Sequence, residues 1–205
     1  MSFLGVLRVL GGKIFSRSVR FHHFSENPMH SITRVFVSVA LGAALPLAAS
    51  AQGADPAIGA LRAQWMGVVE NITKAAEQVS EADYAYKPVP TVRSFGELVG
   101  HVAGSQHLMC AVALGEKPPA EDAVEKAAKT KAALVAALKE STEHCKKAYA
   151  ISATNGAMAA ELFGEKNTRV GSLALNAVHD GEHYGNIVTY MRMKGMVPPS
   201  SQPRK

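Results

Sequence analysis

The chain has 205 residues, with 22 Lys plus Arg against 17 Asp plus Glu, a formal charge of +5, and 47% hydrophobic residues. Residues 1–51 carry five of the basic residues and one of the acidic ones, so the remainder is nearly neutral, 17 against 16. That balance gives no reason to expect a nucleic-acid partner, and the 154 remaining residues suit one domain with a substantial core.

The N-terminal region reads as a processing signal. Met29-His30-Ser31-Ile32-Thr33-Arg34 precedes an apolar run from Val35 to Ala49, and Ala49-Ser50-Ala51 has the small-x-small pattern of a signal-peptidase site. Residues 29–51 are therefore expected to be a signal peptide, with the mature chain starting at Gln52. Residues 1–28 read either as a misplaced upstream extension or as a long basic n-region carrying Arg8, Lys13, Arg17 and Arg20. The apolar run is shorter than the ~20 residues a spanning helix needs. A periplasmic or secreted protein is expected, with no stable membrane insertion after cleavage.

Asp55-Pro56 then marks a helix start, since Asp caps exposed backbone donors and Pro suits the first turn. Ile58, Leu61, Trp65, Val68, Ile72, Ala76 and Val79 recur at helical spacing behind it. Pro88 and Pro90 predict turn or extended structure over 84–92. Ser94-Phe95-Gly96-Glu97 has the form of a capping box opening a second helix, with Leu98, His101, Val102, Ser105, Met109 and Val112 on a common side. Gly115 and Pro118-Pro119 end it. Residues 116–129 are expected to be mostly connection despite a helix-compatible 120–128 stretch. Thr130 caps a third helix, with Leu134, Ala137, Leu138, Ser141 and Cys145 inward, to about Ala150. A fourth helix is predicted from just after Gly171-Ser172 through Met193, stopped by Gly195 and Pro198-Pro199. The bundle spans 52–200, and 201–205 is expected to be a flexible tail.

The two cysteines test the topology. Cys110 lies 16 residues past Ser94 and Cys145 15 past Thr130, so they reach similar heights of about 24 and 22 Å if the second and third helices are parallel. A disulfide can then form, and export permits it. In an antiparallel hairpin the two would sit near opposite ends, beyond the ~6 Å Cα spacing of a bridge. Two separate buried thiols are the alternative.

His179 and His183 are four residues apart on one helical face, so both imidazoles can address one metal ion, and His101 on the second helix can supply a third. Three histidines leave one coordination position for water or substrate. Neutral imidazoles suit a divalent metal, with zinc, nickel and iron not distinguished. Asp180 and Glu182 are weak candidates for proton transfer or for orienting a ligand, each also readable as a surface carboxylate. Asn176, Asn186 and Tyr190 are candidate pocket residues. His107 turns away from His101, and His144 reads as surface.

The segments Arg93-Ser94-Phe95-Gly96-Glu97-Leu98-Val99-Gly100-His101 and Asn176-Ala177-Val178-His179-Asp180-Gly181-Glu182-His183-Tyr184-Gly185-Asn186, with the Ile187–Pro199 continuation, resemble the DinB-like (DinB/YfiT-like) superfamily over roughly 55–200. The resemblance implies an all-α four-helix bundle with a long crossover between helices 2 and 3, and a divalent-metal triad at His101, His179 and His183. Some relatives are thiol-dependent transferases or isomerases, a cytosolic chemistry that an exported chain departs from. The expected function is an exported metal-dependent enzyme acting on a small molecule, by metal-assisted hydrolysis or thiol-group transfer. A noncatalytic metal-binding or stress-associated structural protein is the alternative, and a homodimer is a candidate state in either case.

Overall fold

The computed structural model describes residues 55–203. The expected upstream extension, the signal peptide and the last two residues of the tail lie outside the described residues. Four long helices form the body: α1 (Pro56–Gln78), α2 (Phe95–Leu114), α4 (Lys131–Ala148) and α6 (Arg169–Met193). Between them lie the short helices α3 (Ala123–Ala127) and α5 (Ala153–Gly156), and a hairpin of β1 (Ala159–Leu162) and β2 (Glu165–Thr168). The chain is an all-α bundle carrying one small antiparallel ribbon.

Local chemistry sets the helix starts. Asp55 accepts from the amides of Ala57 and Ile58, Thr130 Oγ1 from Ala133, and Thr168 Oγ1 from Gly171. Ser94 and Glu97 complete a reciprocal capping box: Ser94 N donates to Glu97 Oε2 at 2.7 Å and Glu97 N to Ser94 Oγ at 3.2 Å. The last long helix begins at Arg169, four residues earlier than the start just after Gly171-Ser172 expected from sequence, because Thr168 is the better cap. The hairpin was not anticipated. Its strands are only four residues long, and its turn rests on Phe163 and Gly164, both at positive φ, 54° and 80°.

The four helices run as two parallel pairs. The sulfurs of Cys110 and Cys145 are bonded with a Cα separation of 5.2 Å near the ends of α2 and α4, while Leu134 at the start of α4 faces Gly96 and Gly100 at the start of α2. Those two helices therefore point the same way. Ile58 lies by Val170 at the start of α6, Trp65 meets Asp180, and Gln78 reaches Val197 beyond its end, so α1 and α6 are parallel as well.

Parallel neighbours require the intervening chain to return the full length of α2, and residues 116–130 do so by lying directly on it. Gly100 and Gly104 provide the bed: a Cβ on Gly100 would come 3.0 Å from the Glu125 Cα, and one on Gly104 would collide with the Glu121 carbonyl oxygen. Covered by α4, α6 and this crossover, α2 buries nearly its whole circumference, including His101 at 6% exposure. Of the residues expected in the tail, Ser201 closes a 3-10 turn with Pro199 and Ser200, and Gln202 donates to Gln78 Oε1. No helix among the described residues is long and apolar enough to cross a membrane.

Candidate metal centre

In α6 the buried positions Leu173, Asn176, Asp180, His183, Ile187 and Tyr190 alternate three and four apart, giving one inward stripe. His183 belongs to that stripe, and His179, one turn earlier, stands at its edge with its side chain 17% exposed. Across from them, two turns into α2, His101 projects from the opposite wall. Its Nε2 lies 3.2 Å from His179 Nε2, which lies 3.0 Å from His183 Nε2. Ligand nitrogens about 2.0–2.1 Å from a tetrahedral ion stand about 3.3 Å apart, so His179 already holds roughly that spacing to each of the other two rings. Among the described residues they are the one group of His, Cys, Asp or Glu side chains close enough to share an ion.

Electrostatics favours the ligand form. Burial pushes His101 down to about 3, helped by the charges of Arg93 and of the other two imidazoles. Burial likewise lowers His183 to about 4, with His179 and Arg93 acting in the same direction. Both rings are neutral at pH 7, with a lone pair available to an ion.

Each ring has a polar group behind it. An imidazole bound through Nε2 carries its proton on Nδ1 and needs an acceptor there. His183 Nδ1 faces the Asn186 carboxamide at 3.4 Å, with the amide oriented nitrogen-first, and turning that amide would present its oxygen. His179 Nδ1 is 3.8 Å from Asp180 Oδ1, and His101 Nδ1 is 3.9 Å from Glu125 Oε2. The Nδ1 atoms of His101 and His179 and Oδ1 of Asp180 are buried without a hydrogen-bond partner. Protonation of both Nδ1 atoms, the tautomer an ion at Nε2 selects, would answer those vacancies with a small closing movement. The donor set and its surroundings fit a divalent ion.

The other candidates separate. Asp180 is not at the surface: it is fully buried, and its Oδ2 accepts from Trp65 Nε1 at 3.0 Å. Burial raises its carboxyl to about 6, against the neighbouring His179 ring and the hydrogen bond from Trp65. It stands behind the site, unable to touch a substrate. Glu182 is exposed on the outer side of α6. Asn176 is also removed from the pocket: it is fully buried and donates to Tyr149 Oη at 3.1 Å. Asn186 and Tyr190 line the cleft that opens beside His183, and the Tyr190 hydroxyl also donates to the Arg93 carbonyl at 2.9 Å. His107 and His144 meet edge to face elsewhere, with His144 paired to Glu116.

Sequence reasoning passed over Arg93, Glu121, Glu125 and Trp65. Arg93 Nε donates to both Glu125 oxygens, at 3.2 and 3.3 Å, and Glu121 Oε1 accepts from Ser105 and lies 4.0 Å from His101 Nε2. Both carboxylates come from the crossover, which carries no periodic pattern of its own. The four-residue spacing of Gly100 and Gly104 was the available sign that chain passes over His101. The cleft itself holds about 740 Å³, with Lys87, Arg93 and Glu97 on one side and His183, Asn186 and Thr189 on the other.

Residues 60–187 match the family model described as the DinB superfamily. Among solved structures the chain is similar to a DinB-like protein from Bacillus cereus ATCC 10987, with a TM-score of 0.60 at 14% identity over 69% of this chain and 95% of that one. It is also similar to a DinB-like protein from Bacillus subtilis, with a TM-score of 0.55 at 24% identity over 71% and 99% of the two chains. No curated protein matches.

Proposed function

The chain belongs to the DinB superfamily, and from that membership and its three converging imidazoles we propose that it is an exported metal-dependent enzyme acting on a small molecule. The observation that carries this reading is the convergence of the imidazoles of His101, His179 and His183, the last of which also lines a cleft of about 740 Å³, with no fourth clustered ligand among the described residues. A structural site closes its coordination sphere with protein, whereas a catalytic one leaves a position free.

A divalent ion, when bound, supplies Lewis acidity toward a substrate oxygen or sulfur. The chain's own residues do the rest. His101, His179 and His183 would hold the ion, with Asp180, Asn186 and Glu125 placed behind their Nδ1 atoms to orient the rings once it binds. The cleft positions the electrophile. Hydrolysis is favoured over thiol transfer because both cysteines are committed to a disulfide, which suits an oxidising compartment poor in low-molecular-weight thiols.

Expression of 52–205, elemental analysis and comparison with H101A, H179A and H183A test the reading. Wild type should carry a divalent metal that each variant loses, and the loaded protein should hydrolyse a small ester, amide or phosphoester in a chelator-sensitive way. Equal metal content in all four proteins would overturn the ligand assignment. Metal without turnover on any such panel would favour the noncatalytic alternative.

A further inference from the structure

Arg93 is held in place at three points. Its carbonyl accepts from the Tyr190 hydroxyl, Ser94 immediately after it opens the capping box, and Phe95 N donates to Tyr86 O at 3.0 Å. Its Nε is engaged by Glu125, which the α3 segment lays against α2. The two η nitrogens make no hydrogen bond to protein among the described residues, and the side chain is 42% exposed on the same cleft as His183. The charge of Arg93 is felt at both His101 and His183.

We propose that the cleft takes substrates bearing an oxyanion, a carboxylate or a phosphate, and that the η nitrogens of Arg93 hold that group beside the three imidazoles. This rests on the metal-site reading above. A guanidinium whose ε edge is tied down presents its remaining donors in a fixed plane, the geometry suited to forked recognition of an oxyanion. Lys87, the other cation of the cleft, is already engaged by Glu97 at 2.8 Å and brings no such fork. On the opposite wall Asn186 and Thr189 add neutral hydrogen-bonding groups and no competing carboxylate. The cleft volume is within the ~300–1,000 Å³ of small-molecule sites. Anchoring one end of a substrate at Arg93 orients its other end toward the imidazoles.

The test uses cobalt-loaded 52–205, titrated separately with acetate and inorganic phosphate while the visible absorption of the cobalt is followed. With cobalt content unchanged, R93Q should weaken binding of at least one anion by about ten-fold or more, with R93K between the two, and the arm that weakens names the oxyanion. K87Q, which removes the cleft's other cation, already engaged by Glu97, should bind the anion about as tightly as wild type. Equal anion affinity in wild type and R93Q, or a loss in K87Q as large as in R93Q, overturns the inference while leaving the metal centre standing. Absence of cobalt from the wild type overturns the metal reading and this inference with it.

Discussion

Asp180 follows a candidate ligand directly in sequence, yet its carboxyl joins the Trp65 indole in the core. Replacing it with Asn keeps an acceptor for the indole and removes the charge behind His179. D180N should lower metal affinity by about 10–100-fold with a modest stability change, measured by competition with a chromogenic chelator. D180A strands the indole N–H and should also cost about 1–3 kcal/mol of folding stability in denaturant titration. The imidazoles set the pH response of the metal-free protein. Folded His101 and His183 titrate at about 3 and 4 against 6.5 for an ordinary imidazole, so across that interval the unfolded chain binds more protons and stability is lost as pH falls. Asp180, raised from 3.8 to about 6, works the other way over part of the same range, but one carboxyl opposes two rings. Thermal midpoints of the metal-free protein should therefore drop between about pH 7 and pH 5, and an unchanged midpoint would refute the assignment of those shifts. The histidines themselves were legible because i,i+4 spacing on a helix fixes a shared face. Burial of Asp180 and Asn176 was not, since the spacing that marks an inward stripe does not say which helix lies opposite.

At the scale of elements, caps and periodicity carried most of the information: Asp55-Pro56, the Ser94 to Glu97 box and Thr130 each open a helix where expected. The hairpin escaped because four-residue strands are too short for an alternating pattern to stand out. The crossover was anticipated as a connection, but its seat on α2 depends on absent side chains. G104A should displace the 121–125 segment and cost about 1–3 kcal/mol, because the new methyl meets backbone rather than a side chain that can turn away. Gly59 in α1 has nothing within 4 Å of its would-be Cβ, so G59A should stabilise by up to about 1 kcal/mol. Paired chemical-denaturation curves check both signs at once. Displacing the 121–125 segment also moves Glu125 away from Arg93 and His101, so G104A should disturb the metal site although it replaces no residue of it.

At the scale of the whole molecule, the two cysteine heights made a bridge conditional on parallel pairing of α2 and α4, and the fold has both the parallel pair and the bridge. The bond closes a loop of 35 residues, for which chain entropy gives about 3–4 kcal/mol. The C110A/C145A double variant should melt about 6–15 °C below the oxidised protein by circular dichroism, and coincident melting curves would refute a stabilising bridge. The sole tryptophan, Trp65, comes from α1, donates to Asp180 on α6 and stacks at 4.5 Å on Tyr149 at the end of α4. Three of the four long helices thus converge on a single chromophore one residue removed from a candidate ligand. The protein carries its own optical probe: its ultraviolet emission reports the ionisation of one interior carboxyl, the assembly of the core and, through both, the filling of the neighbouring site, with no dye or label attached.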